Sequence, residues 1–163
     1  MILASSAPLA LLAVFAFSGA AKLRDVDAFA DAVAGYRILP ASAAKPVAWL
    51  VIAGELVTAG LLAIPPARTW GSVLAMGLLA AFLAGMASVS WRGLRADCGC
   101  LGRAESVGPA TIVRSCALFA VAALSAGAGP ETGPVHLLVG FLLLLLVFLL
   151  SEVVGLMAGR GLG

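Results

Sequence analysis

Five runs of roughly 20 residues in this chain carry almost no charge, and a run of that length is what a helix needs to cross a bilayer at 1.5 Å per residue. In lipid no water bonds an exposed peptide group. A spanning segment must therefore satisfy its N–H and C=O groups within itself, as a helix does. The runs cover residues 3–21, 47–64, 70–91, 110–128 and 135–157. Lys22 and Arg24 close the first, Pro46 and the Pro65-Pro66 breaker bound the second, and Trp70 and Trp91 bracket the third. Composition agrees: 63% of residues are hydrophobic and 11% charged, against about 45–50% and 25% in soluble domains. A soluble domain and a disordered chain are both excluded. The expected fold is all-α, a polytopic membrane bundle with a four-helix core and a fifth C-terminal span, one domain over residues 1–163.

The first run has the small residues Ser18-Gly19-Ala20-Ala21 that a signal peptidase would accept. It lacks a basic n-region and is longer than an ordinary h-region, so it reads as a retained span. Gly54, Gly60, Gly77 and Gly85 recur inside the spans, where small residues let helix backbones approach closely. The ten Lys and Arg against eight Asp and Glu give a net charge of +2, and the cations are scattered singly. Nucleic acid is not the expected partner; the lipid bilayer is.

The connections differ in length. Residues 65–69 and 129–134 are short turns rich in Pro or Gly, whereas 22–46 and 92–109 are long enough to build something. In the first long connection Val26, Phe29, Ala30 and Val33 follow the i, i+3, i+4, i+7 pattern, with Asp25 as a cap and Gly35 and Pro40 as stops. The pattern predicts a short amphipathic helix after the first span, at the membrane surface or as an ordinary solvated loop helix.

Two spans separate the long connections, so both lie on one side, joined there by the chain from Ala158. That side carries Lys22, Arg24, Arg37, Lys45, Arg92, Arg95, Arg103 and Arg160, against Arg68 alone on the other. Taken by itself, the positive-inside bias places both long loops in the cytoplasm.

The chemistry concentrates between the third and fourth spans, in Arg92-Gly93-Leu94-Arg95-Ala96-Asp97-Cys98-Gly99-Cys100-Leu101-Gly102. Residues i and i+2 in a turn can reach the 4.4–6.8 Å Cα separation of a disulfide, and Gly99 frees the backbone to bring Cys98 and Cys100 together. So small a ring is strained, and strained disulfides are the labile, oxidising ones. Arg95 and Arg103 flank the pair and favour thiolate, while Asp97 opposes it. Two inert interfacial cysteines are the bland alternative. Two thiolates also suit Cu(I), but a closed zinc site wants four ligands and His136, at the start of the fifth span, falls across the bilayer. No metal site is expected. Cys116, inside the fourth span, reads as a packing residue.

Glu55 sits in the middle of the second span, where a carboxylate is costly and faces a partner or a wet cavity. Arg114, one turn into the fourth span, is its candidate partner. The two are expected to face the bundle interior on neighbouring helices. Proton relay, a polar contact to a quinone and a purely structural ion pair are the readings open for Glu55.

Gly19-x-x-Lys22, Tyr36-x-x-Leu39-Pro40, Glu55, and Arg92-Gly93 followed by Cys98-Gly99-Cys100-Leu101-Gly102 together resemble the methylamine-utilisation protein MauE family, one of the DoxX-like membrane proteins. Leu101 stands where the family commonly has phenylalanine. The resemblance, from Leu11 to about Leu124, implies a bacterial plasma-membrane protein that assists disulfide formation in, or maturation of, the small subunit of methylamine dehydrogenase. Cys98 and Cys100 are the expected reactive pair, with Gly99, Arg92, Lys22, Tyr36 and Glu55 in support from the resemblance and Arg95 and Arg114 from their places in the chain. The arrangement also looks, at fold level only, like the vitamin K epoxide reductase bundle, whose electron acceptor is a quinone. A thioredoxin-like protein or a client with cysteines is the implied partner and a quinone the implied acceptor. A non-catalytic scaffold, a Cu(I) handler using the same thiols and a small transporter built on Glu55 are the alternatives.

The implied role conflicts with the charge count, because disulfide formation needs the oxidising face of the membrane. An insertion rule does not see cations placed for function, and the reading leans to the periplasmic face.

Overall fold

The computed structural model describes residues 2–94, 96–97, 107–126, 142, 145–147 and 149, all in helices and short connections. The helices are α1 (Ile2–Arg24), α2 (Val26–Gly35), α3 (Ala41–Ala63), α4 (Arg68–Trp91) and α5 (Pro109–Ala126), with a 3₁₀ turn at Pro65–Ala67. Four of them, all but α2, are long and apolar enough to cross a membrane. This is a multi-pass membrane protein with an all-α bundle. In α4, Trp70 and Trp91 are 71% and 94% exposed, and 21 residues at 1.5 Å separate them by about 32 Å. That matches the spacing of the two aromatic belts at the faces of a bilayer.

Two helices extend past the charges and breakers that bound the apolar runs. α1 runs through Lys22 to Arg24, because charge at a helix end is no obstacle to backbone bonding and the last turn tolerates cations well. α3 begins at Ala41 and carries Pro46 inside it; so near the N-terminus the missing N–H removes little of the ladder.

The spanning helices form a ring in which α1 packs on α3, α3 on α4, α4 on α5 and α5 back on α1. Leu11 and Phe15 of α1, Ala59 and Leu62 of α3, Ala75 and Leu79 of α4, and Leu118 and Ala122 of α5 make the common core, with Val147 added to it. Residues 142, 145–147 and 149 of the expected fifth span are helical, and the rest of that span lies outside the described residues. Close approach of α3 and α4 depends on Gly71, where a Cβ would stand 2.9 Å from the Leu62 backbone nitrogen. At that turn Arg68 Nε donates to the Leu62 carbonyl at 3.2 Å, and Ser72 Oγ meets Ser125 Oγ at 2.7 Å to join α4 to α5.

α2 forms where the sequence pattern places it. The Asp25 carboxylate accepts from the Ala28 N–H at 3.0 Å, as an N-cap does. Its apolar side, Phe29 and Ala30, packs on Ala48 and Ile52 of α3. The helix lies against the bundle rather than apart from it.

The turn after α2 is held unusually. Arg37 has φ +50°, the left-handed conformation that L residues pay about 1–2 kcal/mol to adopt. The guanidinium of Arg92 donates to the carbonyls of Tyr36 and Arg37, the latter at 3.1 Å. Arg92 in turn is the C-cap of α4, followed by Gly93 at φ +62°. Gly93 N–H bonds Ser90 O at 3.2 Å and Leu94 N–H bonds Val89 O at 3.1 Å, a Schellman motif. Arg92-Gly93 thus ends α4 and clamps the α2–α3 turn at the same point. Arg37→Gly is expected to stabilise the fold by about 0.5 kcal/mol, since relief of the left-handed residue exceeds the roughly 0.5–1 kcal/mol of added chain entropy. Arg37→Val should do the reverse in the same detergent unfolding assay.

Candidate functional site

The C-terminal end of α1, the middle of α3 and the C-terminal half of α4 come together beside α2, and a buried ion pair lies there. Lys22 and Glu55 are each 1% exposed and form an ion pair through Lys22 Nζ and Glu55 Oε1. Lys22 Nζ also donates to Ser18 Oγ at 2.7 Å, and Ser18 Oγ donates to Glu55 Oε1 at 3.2 Å. Glu55 Oε2 is buried and has no hydrogen-bond partner among the described residues. Gly19 makes the approach possible. A Cβ there would be 2.9 Å from Leu56 Cδ2 and 3.5 Å from Glu55 Cβ, so a side chain would push α1 away from the carboxylate.

This corrects the expected partner of Glu55. Arg114 is buried on the inner side of α5, as expected, but α3 and α5 stand diagonally across the ring and share no packing contact. α1 lies between them, and Lys22 at its end takes the carboxylate.

Two aromatic rings cover the ammonium. Lys22 Nζ lies 5.0 Å from the Phe29 centroid and 5.3 Å from that of Phe82, a separation at which a ring face attracts a cation. The same rings wall a cavity of about 190 Å³ between α2, α3 and α4. Val33, Val47 and Val51 complete its apolar sides, Tyr36 supplies a hydroxyl, and Gly85 leaves space beneath the tyrosine. A Cβ on Gly85 would be 3.1 Å from Tyr36 Cε1. Burial pushes the Tyr36 phenol above its ordinary pKa, and the Asp97 carboxylate pushes it further the same way. Tyr36 is therefore a protonated O–H donor throughout the physiological range.

Asp97 brings the thiol segment into this picture. Ala96 is buried and lies against Gly35, and its carbonyl accepts from Val107 N–H at 2.9 Å. The two stems of the connection between α4 and α5 are thereby joined beside Tyr36. Arg95, Cys98, Gly99 and Cys100 lie outside the described residues. Cys116 does not pack inside the bundle: it is exposed on α5, because Thr111, Arg114, Ser115, Leu118 and Ala122 take the inward face. Among the expected supporting residues, the structure joins Lys22 to Glu55 and Arg92 to Tyr36, and sets Arg114 apart from both pairs. Ser18, Phe29, Phe82 and Gly85 were not singled out as site residues. Ser18 had a signal, one helical turn before Lys22 on the same face; Phe82 is one apolar residue among many.

The family model described as "Methylamine utilisation protein MauE" matches residues 1–128. The chain belongs to the MauE family. Two relatives, each described as "Methylamine utilization protein MauE", are similar to it. That of Paracoccus denitrificans is 32% identical over 133 residues, covering 80% of this chain and 72% of the relative. That of Paracoccus versutus is 32% identical over 158 residues, covering 91% and 85%. No solved structure matches. The MauE match takes in α1 to α5, and with them the ion pair, the cavity and the Cys-Gly-Cys segment.

Proposed function

We propose that this chain serves methylamine utilisation as a membrane thiol–disulfide redox protein, with Cys98 and Cys100 as the exchanging pair. The observation that carries the reading is the packing of Ala96 beside Gly35, the residue before Tyr36 of the cavity wall, because Cys98 follows two residues later in the chain. A thiol pair starting from that point has a fixed base, and Arg92 and Arg95 precede it in the sequence. Reactive cysteines favour partly exposed, electropositive settings, which nearby arginines help to supply. The client carries cysteines of its own, as the methylamine dehydrogenase small subunit would, or is a thioredoxin-like protein that carries the exchange to it. The protein sits in the bacterial plasma membrane with the thiol segment on the periplasmic face, where disulfides persist. A membrane-soluble quinone takes the electrons.

The test is a redox titration of the purified protein with trapping of thiols by alkylation. The expected result is one two-electron transition shared by Cys98 and Cys100 between about −300 and −120 mV, where thioredoxin-like dithiols operate. In intact cells a membrane-impermeant alkylator should reach the reduced pair. A pair that stays fully reduced across that range would remove the redox reading, and labelling only after lysis would reverse the orientation.

A further inference from the structure

We infer that the cavity between α2, α3 and α4 holds the ring of a membrane quinone, with the Tyr36 hydroxyl donating a hydrogen bond to a ring carbonyl. The inference rests on the thiol–disulfide reading and gives it a place for the acceptor.

Size comes first. An apolar cavity of about 150 Å³ takes a benzene molecule, so the 190 Å³ here accommodates one substituted six-membered ring. Pockets for whole drug-sized ligands run from about 300 to 1,000 Å³, and a prenyl tail would not fit inside with the ring. Ile38 and Leu39, at 55% and 44% exposed, are the large lining side chains most open to the surroundings. The tail leaves past them into lipid.

Chemistry comes next. Phe29, Tyr36 and Phe82 give the chamber flat walls suited to a planar ring, where a saturated acyl chain has no use for them. Tyr36 is the one lining residue with a polar side-chain group, and its hydroxyl stays protonated because burial and Asp97 both disfavour the phenolate. One donor against an otherwise apolar wall is what a carbonyl oxygen on a hydrophobic ring requires. The Lys22 ammonium, paired with Glu55, lies 5.0 and 5.3 Å from the centroids of the Phe29 and Phe82 rings that wall the chamber.

The reaction balances with these parties alone. Cys98 and Cys100 lose their two S–H hydrogens and form one S–S bond; the two electrons and two protons convert the quinone to its quinol. The disulfide then oxidises a client dithiol by exchange, which returns the pair to the reduced state.

The experiment uses the full-length protein in lipid nanodiscs with a photoreactive azido-benzoquinone bearing a short prenyl tail. Illumination and peptide mass spectrometry should show saturable labelling within residues 29–39, 47–51 and 81–85, displaced by unlabelled ubiquinone and not by added phospholipid. Gly85→Leu and Val51→Phe fill the chamber from opposite walls and should each weaken labelling at least tenfold. Tyr36→Phe keeps the shape and should weaken it about three- to tenfold, the effect of one hydrogen bond. Cys98→Ser should label like the parent, so the binding readout does not depend on the thiols. Labelling spread over other helices, indifference to all three cavity variants, or equal displacement by phospholipid would overturn the inference, the last by assigning the chamber to an acyl chain. Failed labelling with an intact thiol titration removes this site alone. Labelling with thiols that never oxidise keeps the site and removes the electron transfer.

Discussion

Glu55→Ala is expected to destabilise the folded bundle by about 3–5 kcal/mol, the usual cost of removing one partner from a buried ion pair. The substitution deprives an ammonium that is 1% exposed of this counter-charge, and it also removes the acceptor for Ser18. Neither group can turn to solvent: Gly19 holds α1 tight against α3, and Phe29 and Phe82 close over the charge. Lys22→Met should cost a similar amount, since it strands the carboxylate instead. The double variant Lys22→Met/Glu55→Leu should recover most of the loss, because apolar residues of similar volume often replace a buried pair without penalty. Unfolding in detergent, read by circular dichroism, measures all three. A double variant no better than the singles would show that the residues act separately. A double variant that folds well yet fails to support client oxidation would give the pair a duty beyond packing.

Either single substitution Cys98→Ser or Cys100→Ser should abolish turnover and convert a transient exchange into a stable mixed disulfide with a partner protein. A single-cysteine variant holds no disulfide to pass on, so the adduct forms by the reverse exchange: the remaining thiolate attacks the disulfide of an oxidised partner, and the second thiol that would resolve the product is missing. With it gone, the intermediate outlives extraction. Non-reducing gels of membranes from cells expressing each variant should show a band heavier by one partner, which collapses on reduction. Cys116→Ala should leave that band unchanged, as its exposed side chain points away from the bundle interior. A band that needs Cys116 would move the chemistry into the span. Absence of any adduct in both single variants, with the pair reduced throughout, would end the redox reading.

The spanning helices were legible because a bilayer imposes a length and an apolar composition that any sequence must display. α2 was legible through Asp25, whose cap geometry is local to four residues. Glu55 was conspicuous for the same reason that the spans were, a carboxylate where hydrocarbon was expected. Its partner was not legible. Lys22 reads as the charge that ends a span, and a cation near a helix end ordinarily reaches out to the headgroups; here α2 folds back over it and turns a boundary residue into a core one. Nothing in the sequence tells which helices in a ring are neighbours and which are diagonal, so Arg114 on α5 reads as no worse a partner for Glu55 than Lys22 on α1. The cavity was equally hidden, since a void depends on how three helices fail to fill a space. Gly85 is its one trace in the sequence, and glycine in a membrane helix has several uses.

The hydrogen bond between Ala96 and Val107 works as the knot of a short leash. From the fixed end at Asp97, at about 3.3–3.6 Å per extended residue, Cys98 can travel one link and Cys100 no more than about 11 Å. That radius holds whatever path the chain takes between the two stems. A client dithiol must therefore be brought to within that radius of Asp97 before it can be oxidised.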